Sequence, residues 1–190
     1  MGEVRVTERW ARIGPRDQSW LIHVPSAGLC LSTFVIIRKR GSILLGRPHA
    51  HDSWPEKGGF PKRHAARIEK DGLWLLPATH LLMEESPDRA ARRIANQWAG
   101  VKGVPKFVMV QSHLRLPRQP RSVLRSKKQS QRKRTRLHHW DICFVYELKA
   151  RTNPKPKPWW SETRFISPSK IRGMTLGRGH KDILKAAGYL

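Results

Sequence analysis

Between Leu29 and Ile37 the chain reads LCLSTFVII, a continuous apolar and β-branched run bounded by Gly28 and the turn RKRG, and SILLGR follows it. That pattern predicts a hairpin of two core strands. Further on, KFVMVQSHLRL and HHWDICFVYELKA predict two longer strands joined by residues 117–136, and LWLLP predicts a short strand ending at Pro77. The period changes to that of a helix between Ser86 and Ala99. There Ala90, Ala91, Ile94, Ala95 and Trp98 fall on one face, and Arg89, Arg92, Arg93, Asn96 and Gln97 fall opposite. Its ends carry the right chemistry: Ser86 to accept from the first free amides, Pro87 at the first helical position, Asp88 near the positive end of the dipole, and Gly100 as the stop. A shorter helix is predicted for HKDILKAAGYL at the end of the sequence, after WWSETRFISPSKI. The stretch PHAHDSWPEKGGFPKRHAARIEKDG, rich in Pro, Gly and His, predicts irregular structure, as does Ala78–Glu85, while NPKPKP reads as a stiff cationic spacer. Residues 1–28 form an N-terminal extension in which SWLIHV suggests an edge strand.

At 190 residues the chain suits one domain with extensions. Its 38% hydrophobic content and eight Trp exclude a wholly disordered basic tail. Cys30 and Cys143 both sit in apolar runs, which predicts buried thiols in a reducing compartment rather than a disulfide. No apolar run approaches the ~20 residues of a membrane span. Glu3 and Glu8 interrupt any signal-peptide core, so a cytoplasmic location is expected, with an organellar address left open if a transit peptide was removed.

Charge changes the picture most. Lys and Arg number 38 against 14 Asp and Glu, a formal charge of +24. A polyanionic partner follows, and nucleic acid outranks membrane because the cationic segments lack a large apolar face. The densest stretch is 117–136, where Arg118, Arg121, Arg125, Lys127, Lys128, Arg132, Lys133, Arg134 and Arg136 stand without an acid, interleaved with Ser, Gln and Thr. Such a segment repels itself and gains order when phosphates neutralise it, so these nine residues are the predicted RNA contacts. Lys57, Lys62, Arg63, His64 and Arg67 extend the basic character around a turn at Gly58 and Gly59. His49, His51, His138 and His139 lack zinc-ligand spacing, and stacking on RNA or donation to phosphate suits them better. Trp159 and Trp160 suit base stacking and a core role about equally.

The run LWLLPATHLLMEESPDRAARRIANQWAGV resembles the Nudix box, G-x5-E-x7-R-E-U-x-E-E-x-G-U with U aliphatic. Thr79 takes the first Gly position, Glu85 the first Glu, Arg93 the Arg, Gly100 the last Gly and Val101 the final aliphatic, without a gap. The order of elements is also similar: a hairpin before the box, two strands after it, ETRFIS followed by Pro168, and a terminal helix. The resemblance implies an α+β domain over residues 29–190, a Nudix-like α/β/α sandwich with a mixed sheet and residues 117–136 as a long basic hairpin insertion.

The departures from the pattern bear on activity. In the family the box helix presents Glu side chains that hold Mg²⁺ or Mn²⁺ against a pyrophosphate, because hard cations need clustered carboxylates. Here those positions are Ile94, Gln97 and Trp98, and Ala78 and Thr79 replace two usual loop glycines. The expectation is a Nudix-like scaffold without the reaction, no catalytic residues beyond the residual positions Glu85 and Arg93, no metal and no cofactor. As a compact globule with a cationic extension it resembles many ribosomal proteins. The expected partners are rRNA and ribosomal proteins, with no membrane. One alternative is a pyrophosphatase acting on nucleotides or RNA ends through atypical Mg²⁺ ligands, with Glu84, Glu85 and Glu56 as carriers. A second is a scaffold that binds proteins through its Trp-rich surface.

Overall fold

A computed structural model describes residues 12–13, 29–54, 62–115 and 139–190. The apolar run forms the central strand β2 (Leu29–Lys39), after the two-residue β1 (Arg12–Ile13) that pairs with its start. It turns through Arg40 and Gly41, at φ 49° and 77°, into β3 (Ser42–Pro48). Two successive positive φ values give the turn whose twist matches that of antiparallel strands, which is why a glycine stands there.

β2 is apolar throughout because both of its faces are covered. Val35 and Ile37 enter one core cluster, and Phe34 and Ile36 enter the other. Helices α1 (Lys62–Lys70) and α2 (Pro87–Arg93) contribute Ala65 and Ala91 to the first cluster, and α3 (Pro168–Gly173) and α4 (His180–Ala186) contribute Ile171, Ile183 and Leu184 to the second. The result is the expected α/β/α sandwich. Its main path runs β5 (Lys106–Arg115), β6 (His139–Lys149), β2, β3, β7 (Trp160–Ile166), and β4 (Ala78–His80) also pairs with β2. The sheet is mixed: β2 and β6 run parallel from Leu29↔Trp140 to Arg38↔Lys149, and the other pairs are antiparallel.

Several local expectations change. The Pro/Gly/His-rich stretch contains α1, which is so polar that Ala65 is its single buried residue. LWLLP forms only isolated bridges, Leu75 to Gly46 and Trp74 to Leu176, whereas the expected loop at Ala78–Glu85 begins with β4, paired to Ser32–Phe34. α3 begins at Pro168, a position not foreseen as helical. Cys30 and Cys143 are both buried, and Cys30 Sγ donates to Asp141 Oδ1 at 3.2 Å. Among the described residues no helix is long and apolar enough to cross a membrane. SWLIHV, Gly58, Gly59, Lys57, Glu56, His138 and all nine predicted RNA contacts, Arg118 to Arg136, lie outside the described residues.

Candidate functional site

The box begins where β4 leaves the sheet. Leu82 and Glu85 close a tight turn in which the Glu85 amide donates to the Leu82 carbonyl at 3.1 Å and Glu85 Oε2 accepts from the Leu82 amide at 3.0 Å. Glu84, at φ 60°, is exposed at the tip. Ser86 then starts α2, its hydroxyl accepting from the Arg89 amide at 3.3 Å.

This start directs Arg93 inward. Its guanidinium grips Glu85 at both oxygens, Nε to Oε1 and Nη2 to Oε2, each at 2.8 Å. Nη1 donates to Thr79 Oγ1 at 3.1 Å and Nη2 to the His80 carbonyl at 3.0 Å. The side chains of Arg93 and Glu85 are only 15% and 9% exposed. Arg93 therefore does not share the solvated face of Arg89 and Arg92, as helical spacing alone suggested. Thr79, in place of the usual glycine, supplies a hydroxyl to this network from within β4. Burial pushes the Glu85 carboxyl up, but the Arg93 hydrogen bonds and the Leu82 amide outweigh it and hold the group below its ordinary range.

Beyond Arg93 the helix widens into a π segment, Ile94–Trp98, with the Ala99 amide donating to the Ile94 carbonyl. Ile94 is 0% and Trp98 2% exposed, while Asn96 and Gln97 face solvent. Trp98 stacks on Trp159 with centroids 4.8 Å apart and meets Trp54 edge-on at 4.6 Å. The Trp98 carbonyl, left without a helical partner, accepts from the indole N–H groups of Trp159 and Trp160, each at 3.0 Å. Trp159 and Trp160 are thereby core residues, which removes them as base-stacking candidates. Asp88, the single acid of Pro87–Trp98, hydrogen-bonds the Tyr146 hydroxyl, and burial together with this contact pushes the Tyr146 hydroxyl up to about 12.

Mg²⁺ or Mn²⁺ does not fit these donors. Ile94 and Trp98 offer no oxygen and are enclosed, Gln97 offers a neutral amide, and both oxygens of Glu85 are already engaged. Among the described residues no group of three or more His, Cys, Asp and Glu is placed to hold a metal. His49 Nδ1 meets Glu69 Oε1 at 2.9 Å, and His51 Nδ1 accepts from the Ser53 amide at 3.1 Å. On α1, Lys62, Arg63, His64 and Arg67 are exposed, with Lys62 bound to Asp52 at 2.7 Å.

A second feature was missed in the sequence. Where the β5–β6 ladder ends, the described residues form an open cleft of about 780 Å³ between Lys102, Lys106, Phe107, Lys149 and Arg151. VKGVPKF and LKAR carry its cations, but only the register of β5 on β6 brings them together.

No family model and no curated protein matches the chain. Solved structures do. The MutT protein of Methanosarcina mazei is 17% identical, with 87% of this chain and 94% of that one covered at a TM-score of 0.52. A MutT Nudix hydrolase of Burkholderia pseudomallei is 15% identical over 83% and 96% at 0.52. The Nudix domain of Shewanella oneidensis NrtR, solved with ADP ribose, is 14% identical over 84% and 86% at 0.51. Likeness at this level of identity speaks to architecture, and with the mixed sheet between two helical layers it establishes that this chain has a Nudix-like α+β fold.

Proposed function

We propose that the chain is a Nudix-like domain that binds RNA without hydrolysing nucleotides, as a component of a ribosome whose basic segment 117–136 lies among rRNA phosphates. The observation that carries the first half is the fate of the box helix: two of its three ligand positions, Ile94 and Trp98, are built into the core. Side chains in that place stabilise the sandwich and leave a divalent cation no carboxylate cluster. The second half rests on a charge of +24, far beyond what solubility requires, and on nine cations without an acid between residues 117 and 136. Arg118, Arg121, Arg125, Lys127, Lys128, Arg132, Lys133, Arg134 and Arg136 are the proposed phosphate contacts. Cytoplasmic or organellar ribosomes and neighbouring ribosomal proteins are the proposed surroundings.

A pyrophosphatase acting on nucleotides or RNA ends is the second reading. The solved neighbours that are Nudix hydrolases and the retained Glu85–Arg93 pair favour it. Two assays on the full chain separate them. The first reading expects no Mg²⁺- or Mn²⁺-dependent release of phosphate or mononucleotide from nucleoside diphosphate derivatives or capped RNA. It also expects salt-sensitive RNA binding and cosedimentation with ribosomes through moderate salt. Turnover abolished by Glu85→Gln would establish the enzyme instead.

A further inference from the structure

Among the described residues β5 is an edge of the sheet, and it is unusually apolar for such a place. Phe107, Val108 and Val110 are 55%, 41% and 50% exposed. The register sets Phe107 against Tyr146 and Val110 against Phe144, two residues of the face that packs on α2 further along the sheet. Trp140, 36% exposed, follows on that same face at the start of β6, with its indole N–H bound to Ser112 Oγ. A line of Phe107, Val110 and Trp140 thus crosses sheet surface that no described helix covers. Phe107 is held at its rim by an edge-on contact with Tyr146, centroids 5.6 Å apart, which leaves ring surface to solvent.

At the Phe107 end this line opens into the cationic cleft. Lys102, Lys106, Lys149 and Arg151 stand around it, all exposed, and among the described residues none pairs with a carboxylate. The one acid in the lining, Glu147, is engaged by Arg38 at 3.0 Å and by the Tyr189 hydroxyl. Two of the lining residues are closely packed on each other: Gly103, at φ 150°, lies so near Leu148 that a Cβ there would stand 2.5 Å from its Cδ1. Cations at this density, with their hydrogen-bonding groups unused, select a polyanion. An exposed aromatic ring beside them selects one whose bases are free to stack.

We propose that the Phe107 cleft and the adjoining sheet face bind single-stranded RNA, with a base stacked on Phe107 and its phosphates on Lys102, Lys106, Lys149 and Arg151. This rests on the reading of the protein as RNA-binding and gives that reading a site separate from the basic segment. The β5–β6 pair connects the two: the cleft lies at one end of its ladder and residues 116–138 leave from the other, about 30 Å away at the usual rise per strand residue. A strand of RNA following the apolar line from the cleft runs toward the basic segment. Duplex RNA keeps its bases stacked internally and makes no use of Phe107.

The test uses the full chain, with circular dichroism to verify folding, and measures binding of a short oligouridine, a duplex RNA and polyglutamate over a salt series. Phe107→Ala is expected to weaken oligouridine binding roughly 5- to 100-fold, from the usual contribution of one base–aromatic stack, while Phe107→Trp retains it and duplex affinity stays level. Lys149→Glu with Arg151→Glu is expected to flatten the salt dependence of log K by roughly 0.7 per lost phosphate contact. Oligouridine affinity unchanged by Phe107→Ala overturns the site. So does polyglutamate binding that weakens with the same two sets of substitutions, which would identify an acidic polypeptide as the occupant. If replacing residues 117–136 abolishes RNA binding while Phe107→Ala leaves it intact, the cleft proposal alone falls. If the wild-type chain binds no RNA even at low salt, the RNA-binding reading falls with it.

Discussion

The two halves of the box have taken opposite paths. From Thr79 to Arg93 the polar framework is intact: a bidentate ion pair, a threonine hydroxyl and a main-chain carbonyl converge on one guanidinium. From Ile94 to Trp98, directly after it on the same helix, Ile94, Ala95 and Trp98 have joined the hydrophobic core while Asn96 and Gln97 stay exposed. The difference separates two jobs that a shared motif would otherwise confound. The Glu85–Arg93 pair ties the turn after β4 to the helix. Of the positions that follow, Ile94 and Trp98 fill space in the core between the sheet and the neighbouring Trp rings.

The comparison breaks most visibly at Trp98. Trp98→Glu restores the residue type of the family pattern, yet it removes a ring packed among Trp54, Trp159 and Trp160 and places a carboxylate in the hydrophobic core. Large-to-small losses at buried Trp cost about 3–5 kcal/mol before any charge is buried, so a fall in Tm of about 10 °C or more is expected for a chain of this length. Thermal unfolding with and without Mg²⁺ reads this out. A variant as stable as wild type without added metal would contradict the burial of Trp98, and one rescued by Mg²⁺ would show that the position can serve a cation.

Arg93→Met strikes the polar half instead. It leaves Glu85 enclosed without its partner, and breaking such a pair typically costs about 3 kcal/mol or more. Adding Glu85→Gln should recover part of that loss, because the stranded charge is gone. A coupling near zero in the double-mutant cycle would mean that the pair contributes nothing to the fold.

This division explains how far the residues announced the structure. The hairpin at Arg40–Gly41, the strands β5 and β6 and the start of the helix at Ser86 follow from turn chemistry, unbroken β-branched runs and capping, all local. The inward turn of Arg93 was not local, because its face of the helix is solvated except where Thr79 and His80 come back over it from the sheet. Helix α1 was hidden for a different reason: its faces are segregated, but it is so polar that Ala65 is its single buried residue, and Pro and Gly crowd the sequence before it. The cleft was hidden by distance, since Lys106 and Lys149, 43 residues apart in the chain, come together only through the pairing of β5 with β6. The Trp pair sat in a segment compatible with either fate, and only the free carbonyl at the end of the π segment decided it.

Acid sharpens the contrast. Glu85 has a lowered pKa in the fold, so its ion pair stabilises fully above its ordinary value near 4.5 and is lost as pH falls through the lower folded value. Between those points stability should decline with falling pH at no more than about 1.4 kcal/mol per unit for this one group. Wild type and Glu85→Gln, unfolded in urea at a series of pH values, should differ in slope only in that acid window. Equal slopes there would place Glu85 in an ordinary solvated setting.

The smallest effect concerns Asp88, the one acid on the helix of Ile94, Gln97 and Trp98. It is exposed, yet its carboxylate acts on the Tyr146 hydroxyl and helps hold that group protonated. Only two tyrosines are present, Tyr146 and Tyr189, and burial raises both, with Glu147 assisting at Tyr189. Phenolate absorbance should therefore rise later than the ordinary value of about 10, with the Tyr146 step near 12. A raised folded pKa stabilises fully below the unfolded value and is lost as pH climbs through the folded one, so this contribution disappears only in strong alkali. Asp88→Asn keeps a hydrogen-bonding side chain but removes the negative charge that opposes ionisation of Tyr146. It should move that step downward, leave Tyr189 in place, and cost about 1 kcal/mol or less at neutral pH. A Tyr146 step unmoved by the substitution would mean that Asp88 does not act on that hydroxyl, and the helix would then keep one carboxylate for a ligand.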